Sequence, residues 1–181
     1  MCPFSLEKEL RNWFIPKEEH LKAFANADTR VESWFKGESI VLFQKLHKQN
    51  VIKGYHREHA IYNLYEKKNN KIDFIVNLYA KNLLIEYKAL CISQSDGTPR
   101  NLNFYFREDN LGLIADFSKM ENLKFAGEKW VVGFIYPNPG LLAWSRIVSS
   151  VAANKPLWQS ITDPNVYPPH LYISLWYLNS N

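Results

Sequence analysis

Three consecutive strand-like segments joined by short turns restrict the possible folds of this chain more than any other feature. They are His59–Glu66, Lys71–Tyr79 and Leu83–Cys91, and each is rich in β-branched, aromatic or alternating apolar residues. The polar turns Lys67–Asn70 and Ala80–Asn82 separate them. Because connections this short join antiparallel neighbours, the pattern predicts an antiparallel three-stranded meander.

Apolar residues at helical spacing lie on both sides of this meander in the sequence. Ser5 is placed to cap a first helix that Pro16 ends, and Thr29 and Glu32 have the spacing of a capping box for a long helix that runs to about His47. The predicted elements outside the meander are helices at Leu6–Phe14, Lys17–Ala25, Thr29–His47, Asn110–Lys124 and Leu141–Ala153, strands at Trp130–Tyr136 and His170–Leu178, a loop at Ser93–Pro99 and an irregular segment at Asn154–Pro169.

The order of these elements favours a single α/β domain. A chain of 181 residues is long enough for one domain. We therefore predict a central mixed sheet that contains the meander and is flanked by helices. Residues 29–136 would form its core, residues 1–28 an N-terminal helical addition and residues 137–181 a C-terminal addition.

Composition and charge exclude several classes of protein. Hydrophobic residues make up 46% and charged residues 22%, so the chain has enough apolar surface to fold. No apolar run approaches the roughly 18 residues of a membrane helix, and the charged N-terminus lacks the apolar core of a signal peptide. Cys2 and Cys91 are too few for a disulfide scaffold or a structural zinc site, which favours a cytoplasmic, reduced protein with no membrane partner. The net charge of +4 is compatible with a polyanionic partner.

Two charged residues interrupt the most apolar of the predicted strands. Alternation places Glu86 and Lys88 on one face, roughly 7 Å apart, and Asp73 on the neighbouring strand can lie beside them. Charges in such a setting are costly unless they are paired or bound to metal. Two converging carboxylates suit Mg²⁺ or Mn²⁺, and a lysine beside them can orient a water and offset charge on a phosphoryl group.

A further acid lies on the apolar stripe of the long helix. Glu38 occupies a position of that stripe where an apolar residue is expected, directly after Gly37. A glycine would let the helix approach the sheet closely. We expect Glu38 to reach the carboxylate pair.

This combination resembles the PD-(D/E)XK nuclease superfamily, which has the restriction-endonuclease-like fold. The matching residues are Glu38 in KGESIVLF, Asp73 in KIDFIV, and Glu86 and Lys88 in LLIEYKAL. The resemblance covers about residues 29–136. Ile72 stands where the motif that names the family has proline, and Lys88 is not followed by the Gln-x-x-x-Tyr pattern of the RecB/Cas4-like branch.

The resemblance implies a metal-dependent endonuclease, a hydrolase of phosphodiester bonds in nucleic acid, with DNA the favoured substrate. It implies that Asp73 and Glu86 hold Mg²⁺ or Mn²⁺, with Glu38 as an auxiliary metal ligand or positioning acid. It also implies that Lys88 assists the water that attacks the scissile phosphorus in line. A single such site cuts one strand, so a double-strand cutter would be a two-fold homodimer.

Two alternatives remain open at this point. The same fold can serve as a nucleic-acid-binding or protein-binding module without catalysis. The three residues can also be a chance match, with Asp73 a surface charge at a strand start and Glu86 and Lys88 a neighbouring surface pair in some other small α/β protein.

Basic residues outside the motif are candidate nucleic-acid contacts. Lysines in and after the first hairpin turn can meet a phosphate backbone, and arginines among aromatic residues after the third strand can line a channel. These residues are Lys67, Lys68, Lys71, Arg100 and Arg107. A solvated turn and an ordinary core segment are the corresponding alternatives. The histidine pair His56 and His59 is expected to lie in a polar loop or strand edge rather than to bind metal.

Overall fold

The predicted meander is the first half of a larger sheet. The computed structural model describes residues 4–92, 94–95, 98–99, 102–107, 112–155 and 157–178. The strands β1 (Gly54–Asn63), β2 (Lys68–Asn77) and β3 (Asn82–Cys91) pair antiparallel in sequence order. The antiparallel meander is therefore confirmed.

The remaining elements place helices before, between and after the strands. The helices are α1 (Leu6–Phe14), α2 (Glu18–Asn26), α3 (Glu32–Lys48), α4 (Leu113–Glu121) and α5 (Gly140–Asn154), and the remaining strands are β4 (Gln94–Ser95), β5 (Thr98–Pro99), β6 (Glu128–Tyr136), β7 (Trp158–Ser160) and β8 (Tyr172–Leu178). Short 3-10 turns lie at Ile15–Lys17, Leu102–Tyr105 and Pro164–Val166. No helix among the described residues is long and apolar enough to cross a membrane.

The main sheet has six strands in the order β1-β2-β3-β6-β8-β7, and β4 and β5 form a separate small hairpin. β6 runs parallel to β3, and the connection between these two strands contains α4. A parallel pair needs a crossover of this kind. β8 pairs antiparallel with both β6 and β7, so the sheet is mixed, as predicted, but it extends well beyond the meander.

Alternate residues of β6 show which helices cover each face of the sheet. Phe134 stacks on Phe35 of α3 with ring centroids 4.0 Å apart, and it also contacts Phe14 of α1. On the opposite face, a Cβ at Gly133 would approach Leu113 of α4 and would lie 2.5 Å from Ser174 Oγ. α1 and α3 therefore cover one face and α4 the other, and the N-terminal addition belongs to the same hydrophobic core as the rest of the chain.

The helix ends differ in part from those predicted. Ser5 caps α1 as expected, by accepting a hydrogen bond from the Lys8 amide. The Thr29–Glu32 capping box is wrong, because Thr29 donates its hydroxyl hydrogen bond to Ala27 O and Val31 occupies the N-cap position of α3. Glu32 is therefore available to the sheet.

The first hairpin also differs from its predicted position. β1 begins five residues earlier than expected, and its turn lies at residues 64–67 rather than 67–70. β1 is an edge strand whose first seven residues are all at least partly exposed, so it lacks the alternation that marks a half-buried strand. β7 was missed for a related reason, since three residues are too few to show a period.

Candidate functional site

The ladder between β2 and β3 opens at the two predicted carboxylates. Backbone pairing runs from Asn77 and Asn82 to Phe74 and Ile85 and stops there. At the next pair, side-chain carboxylates accept the hydrogen bonds of the backbone amides. The Asp73 amide donates to Glu86 Oε2 at 3.3 Å, and the Tyr87 amide donates to Asp73 Oδ2 at 2.9 Å. Each carboxylate thus satisfies a backbone donor that the opened ladder leaves unpaired.

The pairing of β2 with β1 is interrupted at the same residue. The register passes from Arg57 and Phe74 to His59 and Ile72, leaving Glu58 and Asp73 between these pairs. Glu58 has φ 49°, in the left-handed region that non-glycine residues rarely adopt. Strained backbone of this kind persists where surrounding structure enforces it, and it is concentrated at functional sites.

Two lysines pair with the carboxylates. Neither was among the site residues predicted from the sequence. Lys36 Nζ of α3 lies 2.7 Å from Asp73 Oδ1, and Lys119 Nζ of α4 lies 2.5 Å from Glu86 Oε1. The side chains of Asp73 and Glu86 are each 12% exposed. The pair is therefore largely buried, and this rules out the alternative in which both acids are ordinary surface charges.

Lys88 is held by a third acidic residue, Asp116 of α4. Lys88 Nζ lies 3.2 Å from Asp116 Oδ2, and Lys119 Nζ lies 3.8 Å from the other oxygen of the same carboxylate. Burial raises the pKa of Asp116, and the nearby charges of Lys88 and Lys119 oppose that increase. α4 therefore contributes both a counter-ion for Glu86 and a partner for Lys88.

The ionised form of Glu86 is destabilised by more than its lysine partner offsets. Burial, followed by the negative charge of Asp73, raises the pKa of Glu86 to about 7, although Lys119 opposes the increase. Two carboxylates in contact cannot both ionise cheaply in a buried site. A carboxyl whose pKa is shifted by burial and by a specific charged neighbour is a candidate functional group.

The structure does not bring Glu38 to this pair. Its Oε2 accepts a hydrogen bond of 3.0 Å from Trp13 Nε1 and lies 3.5 Å from Lys17 Nζ, so the carboxylate faces the N-terminal helix. Gly37 does not serve a close approach, because an added Cβ there would meet no atom within 4 Å.

Glu32 of α3 is linked to the carboxylate pair indirectly, through Lys36. Its Oε1 is 2.8 Å from Lys36 Nζ, the lysine that also contacts Asp73, and its Oε2 accepts a hydrogen bond of 3.4 Å from the Ala89 amide on β3. The sequence held a signal for this, since Glu32 and Lys36 are spaced i,i+4 on one helix face.

The donor set fits a hard divalent cation. Mg²⁺ and Mn²⁺ take carboxylate oxygens and keep several waters, so two carboxylates on neighbouring strands are a suitable protein contribution. Asp73 and Glu86 provide these carboxylates. Glu32 shares the partner Lys36 with Asp73, and Asp116 shares the partner Lys119 with Glu86. Within the part of the chain that the structure describes, no three His, Cys, Asp or Glu side chains converge as a metal-binding group.

The predicted nucleic-acid contacts are distributed over two regions. Lys67, Lys68 and Lys71 are exposed on the β1–β2 hairpin, and Lys68 forms an ion pair with Glu66. Arg107 is exposed and lies over the ring of Phe104, whereas Arg100 lies outside the described residues. The histidines of β1 lie on the exposed edge strand, as expected.

Comparisons of the chain with family models, curated proteins and solved structures found no match. The geometry itself therefore carries the functional argument. It combines two adjacent buried carboxylates, a half-buried lysine two residues further along β3 than Glu86, and a third acid that holds that lysine. Such a site can bind a cation, orient a water and stabilise negative charge on a phosphoryl oxygen.

Proposed function

We propose that this chain is a metal-dependent nuclease that hydrolyses phosphodiester bonds in nucleic acid, most specifically a DNA endonuclease. The observation that carries the proposal is the opening of the β2–β3 ladder at Asp73 and Glu86, with both carboxylates buried and Lys88 on the same strand as Glu86. The order α3, β1–β2–β3, α4 and β6, with β6 parallel to β3, is consistent with the resemblance to the PD-(D/E)XK superfamily and with a restriction-endonuclease-like core.

The proposed roles follow from the contacts. Asp73 and Glu86 would hold the cation, which when bound supplies Lewis-acid stabilisation and activation of the attacking water. Lys88 would orient that water and offset the charge that develops on the phosphoryl oxygens. Asp116 would hold Lys88 in position, because the two side chains form an ion pair of 3.2 Å.

The charge balance of the site supports the binding of a cation. Four acids and three lysines share it, leaving one negative charge in excess: Glu32, Asp73, Glu86 and Asp116 against Lys36, Lys88 and Lys119. Burial, and after it the charge of Asp73, raises the pKa of Glu86, so its ionised form is costly in the absence of a cation. A divalent cation would favour the ionised form of both carboxylates and relieve their repulsion.

A second candidate function is a binding module of the same fold without catalysis. The observation that favours it is that all four carboxylate oxygens of Asp73 and Glu86 already have a partner, namely Lys36, Lys119 or a backbone amide. In such a site the lysines and backbone amides would already compensate both carboxylates, so no cation would be needed.

Calorimetric titration with Mn²⁺ separates these two candidates. We expect wild type and Glu128→Gln to bind the ion and Glu86→Gln to lose that binding. Glu128 is a matched control because it lies in the same sheet but has Lys81 and Trp130 as its partners instead of the site residues. Failure of wild type to bind Mn²⁺ or Mg²⁺ would contradict the metal-dependent nuclease and favour the silent module.

The positions of Glu32 and Glu38 predict different effects of the same substitution. Glu32→Gln is expected to lower cleavage about tenfold, because it weakens the hold on Lys36 beside Asp73. Glu38→Gln is expected to leave cleavage within about twofold of wild type, because Glu38 contacts Trp13 and Lys17 instead. Initial cleavage rates under single-turnover conditions test both, and the reverse order of effects would contradict the placement.

A further inference from the structure

Lys119 lies between the carboxylate site and a neighbouring cavity. Its Nζ is 2.5 Å from Glu86 Oε1 and 3.8 Å from Asp116 Oδ1. The same side chain, which is 22% exposed, lines a cavity of about 500 Å³ between α4 and the turn of the β1–β2 hairpin. A lysine ammonium is carried on a flexible four-carbon stem. Rotation of this stem can therefore move the ammonium from the carboxylates into the cavity.

The partners of the carboxylate pair differ in how firmly they are held. One oxygen of Asp73 and one of Glu86 accept hydrogen bonds from backbone amides, which move only with the strands. Lys36 Nζ, the partner of Asp73 Oδ1, lies between two acids at 2.7 and 2.8 Å. Among the described residues Lys119 has one acid at such a distance, since Asp116 is 3.8 Å away. Lys119 is therefore the partner that is most easily exchanged.

A divalent cation on Glu86 would compete with Lys119 for the same oxygen. Mg²⁺ binds carboxylate oxygens at about 2.1 Å, so on Oε1 it would lie within about 5 Å of an ammonium that stayed in place. Two cations this close repel each other strongly in a largely buried site. Exchange of the ammonium for the divalent ion avoids this repulsion and keeps the carboxylate of Glu86 paired with a cation throughout.

The lining of the cavity suits an anion. Besides Lys119 it contains Lys155 and Ser118, which supply a second positive charge and a hydroxyl group. Glu66, an acid of the lining, is already paired with Lys68. Phosphate oxygens accept hydrogen bonds from ammonium and hydroxyl donors of this kind. A nucleic-acid strand carries a phosphate at every nucleotide, so a strand that is bound at the carboxylates can bring a further phosphate to the adjoining cavity.

We propose that Lys119 and the divalent cation compete for Glu86, and that the displaced Lys119 binds a phosphate of the nucleic-acid strand in this cavity. The proposal rests on the proposed nuclease function and adds a phosphate-binding residue to its site. It also couples the two ligands, because the cation frees the ammonium that holds the strand. By linkage, the bound strand then raises the affinity for the cation by the same factor.

Calorimetric titration with Mn²⁺ at about pH 8 measures the competition. Lys119→Met removes the ammonium and keeps the length of the side chain, so it should bind Mn²⁺ at least about tenfold more tightly than wild type. Lys88→Met is the matched comparison, because it removes the same charge from the same cluster although Lys88 pairs with Asp116 and not with Glu86. Its affinity should change by less than about threefold. Lys119→Arg keeps the charge and should resemble wild type.

Strand binding measures the phosphate contact. A fluorescein-labelled DNA oligonucleotide, single-stranded or duplex, whichever wild type binds more tightly, is titrated with protein in Ca²⁺ and in EDTA at several salt concentrations, and a gel confirms that it stays intact. The slope of log K against log salt concentration falls by about 0.7 to 0.9 for each phosphate contact that is lost. In Ca²⁺, Lys119→Met should bind about fivefold more weakly than wild type and show this fall. In EDTA its slope should equal that of wild type, because Lys119 then pairs with Glu86.

Opposite effects of Lys119→Met on the two ligands distinguish the exchange from a structural role, which would weaken both. Equal gains in Mn²⁺ affinity in Lys119→Met and Lys88→Met would reduce the first effect to general electrostatics and overturn the competition. An unchanged salt slope in Ca²⁺ would overturn the phosphate contact. Circular dichroism confirms that each variant is folded, and Lys119→Gln decides the matter if Lys119→Met is not.

Metal-dependent cleavage by wild type is measured in parallel, so that the two proposals fail separately. Cleavage by wild type without tighter Mn²⁺ binding in Lys119→Met would leave the nuclease intact and contradict the exchange. The opposite effects of Lys119→Met without any cleavage would support the exchange and contradict the nuclease.

Discussion

Replacing Asp73 by Asn or Glu86 by Gln is expected to lower metal-dependent cleavage by roughly 10³-fold or more while the protein remains folded. Both substitutions keep the size of the side chain and remove one of the two charges proposed to hold the cation. Groups that act as a unit lose most of their effect when one is removed. The measurement is single-turnover cleavage at saturating Mg²⁺.

Glu128→Gln serves as the control for these two variants. It makes the same chemical change on β6, where Glu128 pairs with Lys81, and its cleavage rate should equal that of wild type. Asp73→Asn and Glu86→Gln enzymes that cut as fast as the control would show that the carboxylate pair is not the site of the reaction.

The free energy of unfolding is expected to fall as pH rises, in wild type but much less in Glu86→Gln. Burial and the charge of Asp73 raise the pKa of Glu86 to about 7 in the folded chain, against 4.5 for an ordinary glutamate. Between these values the folded chain holds a proton that the unfolded chain has released, so rising pH favours unfolding. Above both pKa values, the contribution of this proton to the free energy of unfolding is lost completely.

Denaturant unfolding in EDTA at about pH 5 and about pH 8 measures this effect. The decrease in wild type should exceed that in Glu86→Gln by roughly 2–3 kcal/mol, since each pKa unit corresponds to about 1.4 kcal/mol. Glu128→Gln should retain the full decrease. Identical pH dependence in wild type and Glu86→Gln would show that Glu86 is not perturbed, and an opposite sign would show that its ionised form is favoured by folding.

The part of the site that lies on strands could be predicted from the sequence. β3 is buried on both faces, so Glu86 and Lys88 stand out against an apolar background, and period-two alternation fixes the face they share. Asp73 follows from the short β2–β3 turn, which sets the register of the hairpin. These three residues are the ones that the structure places around one opening in the sheet.

The helical part of the site could not be predicted in the same way. Several charged residues lie on α3, and long side chains can reach in more than one direction, so the apolar stripe pointed to Glu38 while Glu32 was assigned to a capping box. Asp116 and Lys119 lie on a helix whose position depends on the crossover from β3 to β6, a long-range contact that no local pattern encodes. Their i,i+3 spacing was visible, but such pairs are common on exposed helices.

The opened ladder was also beyond prediction. Nothing in the residues near Asp73 shows that Glu58 adopts a positive φ. Nor does it show that backbone amides on β2 and β3 donate hydrogen bonds to carboxylates instead of to the neighbouring strand. These features arise when charged groups in neighbouring strands replace the regular pairing, and they depend on both strands at once. They are the features that most strongly set this position apart from an ordinary sheet.

The measurement that tests the central claim most directly is cleavage by wild type and Lys88→Ala in parallel. Supercoiled plasmid, single-stranded DNA, a four-way junction and RNA are incubated with each protein in Mg²⁺, Mn²⁺ or EDTA. We predict that wild type cuts at least one substrate with either metal, that EDTA stops the reaction, and that Lys88→Ala does not cut. Absence of cutting by wild type, or equal metal-dependent cutting by both proteins, would contradict the proposed nuclease site.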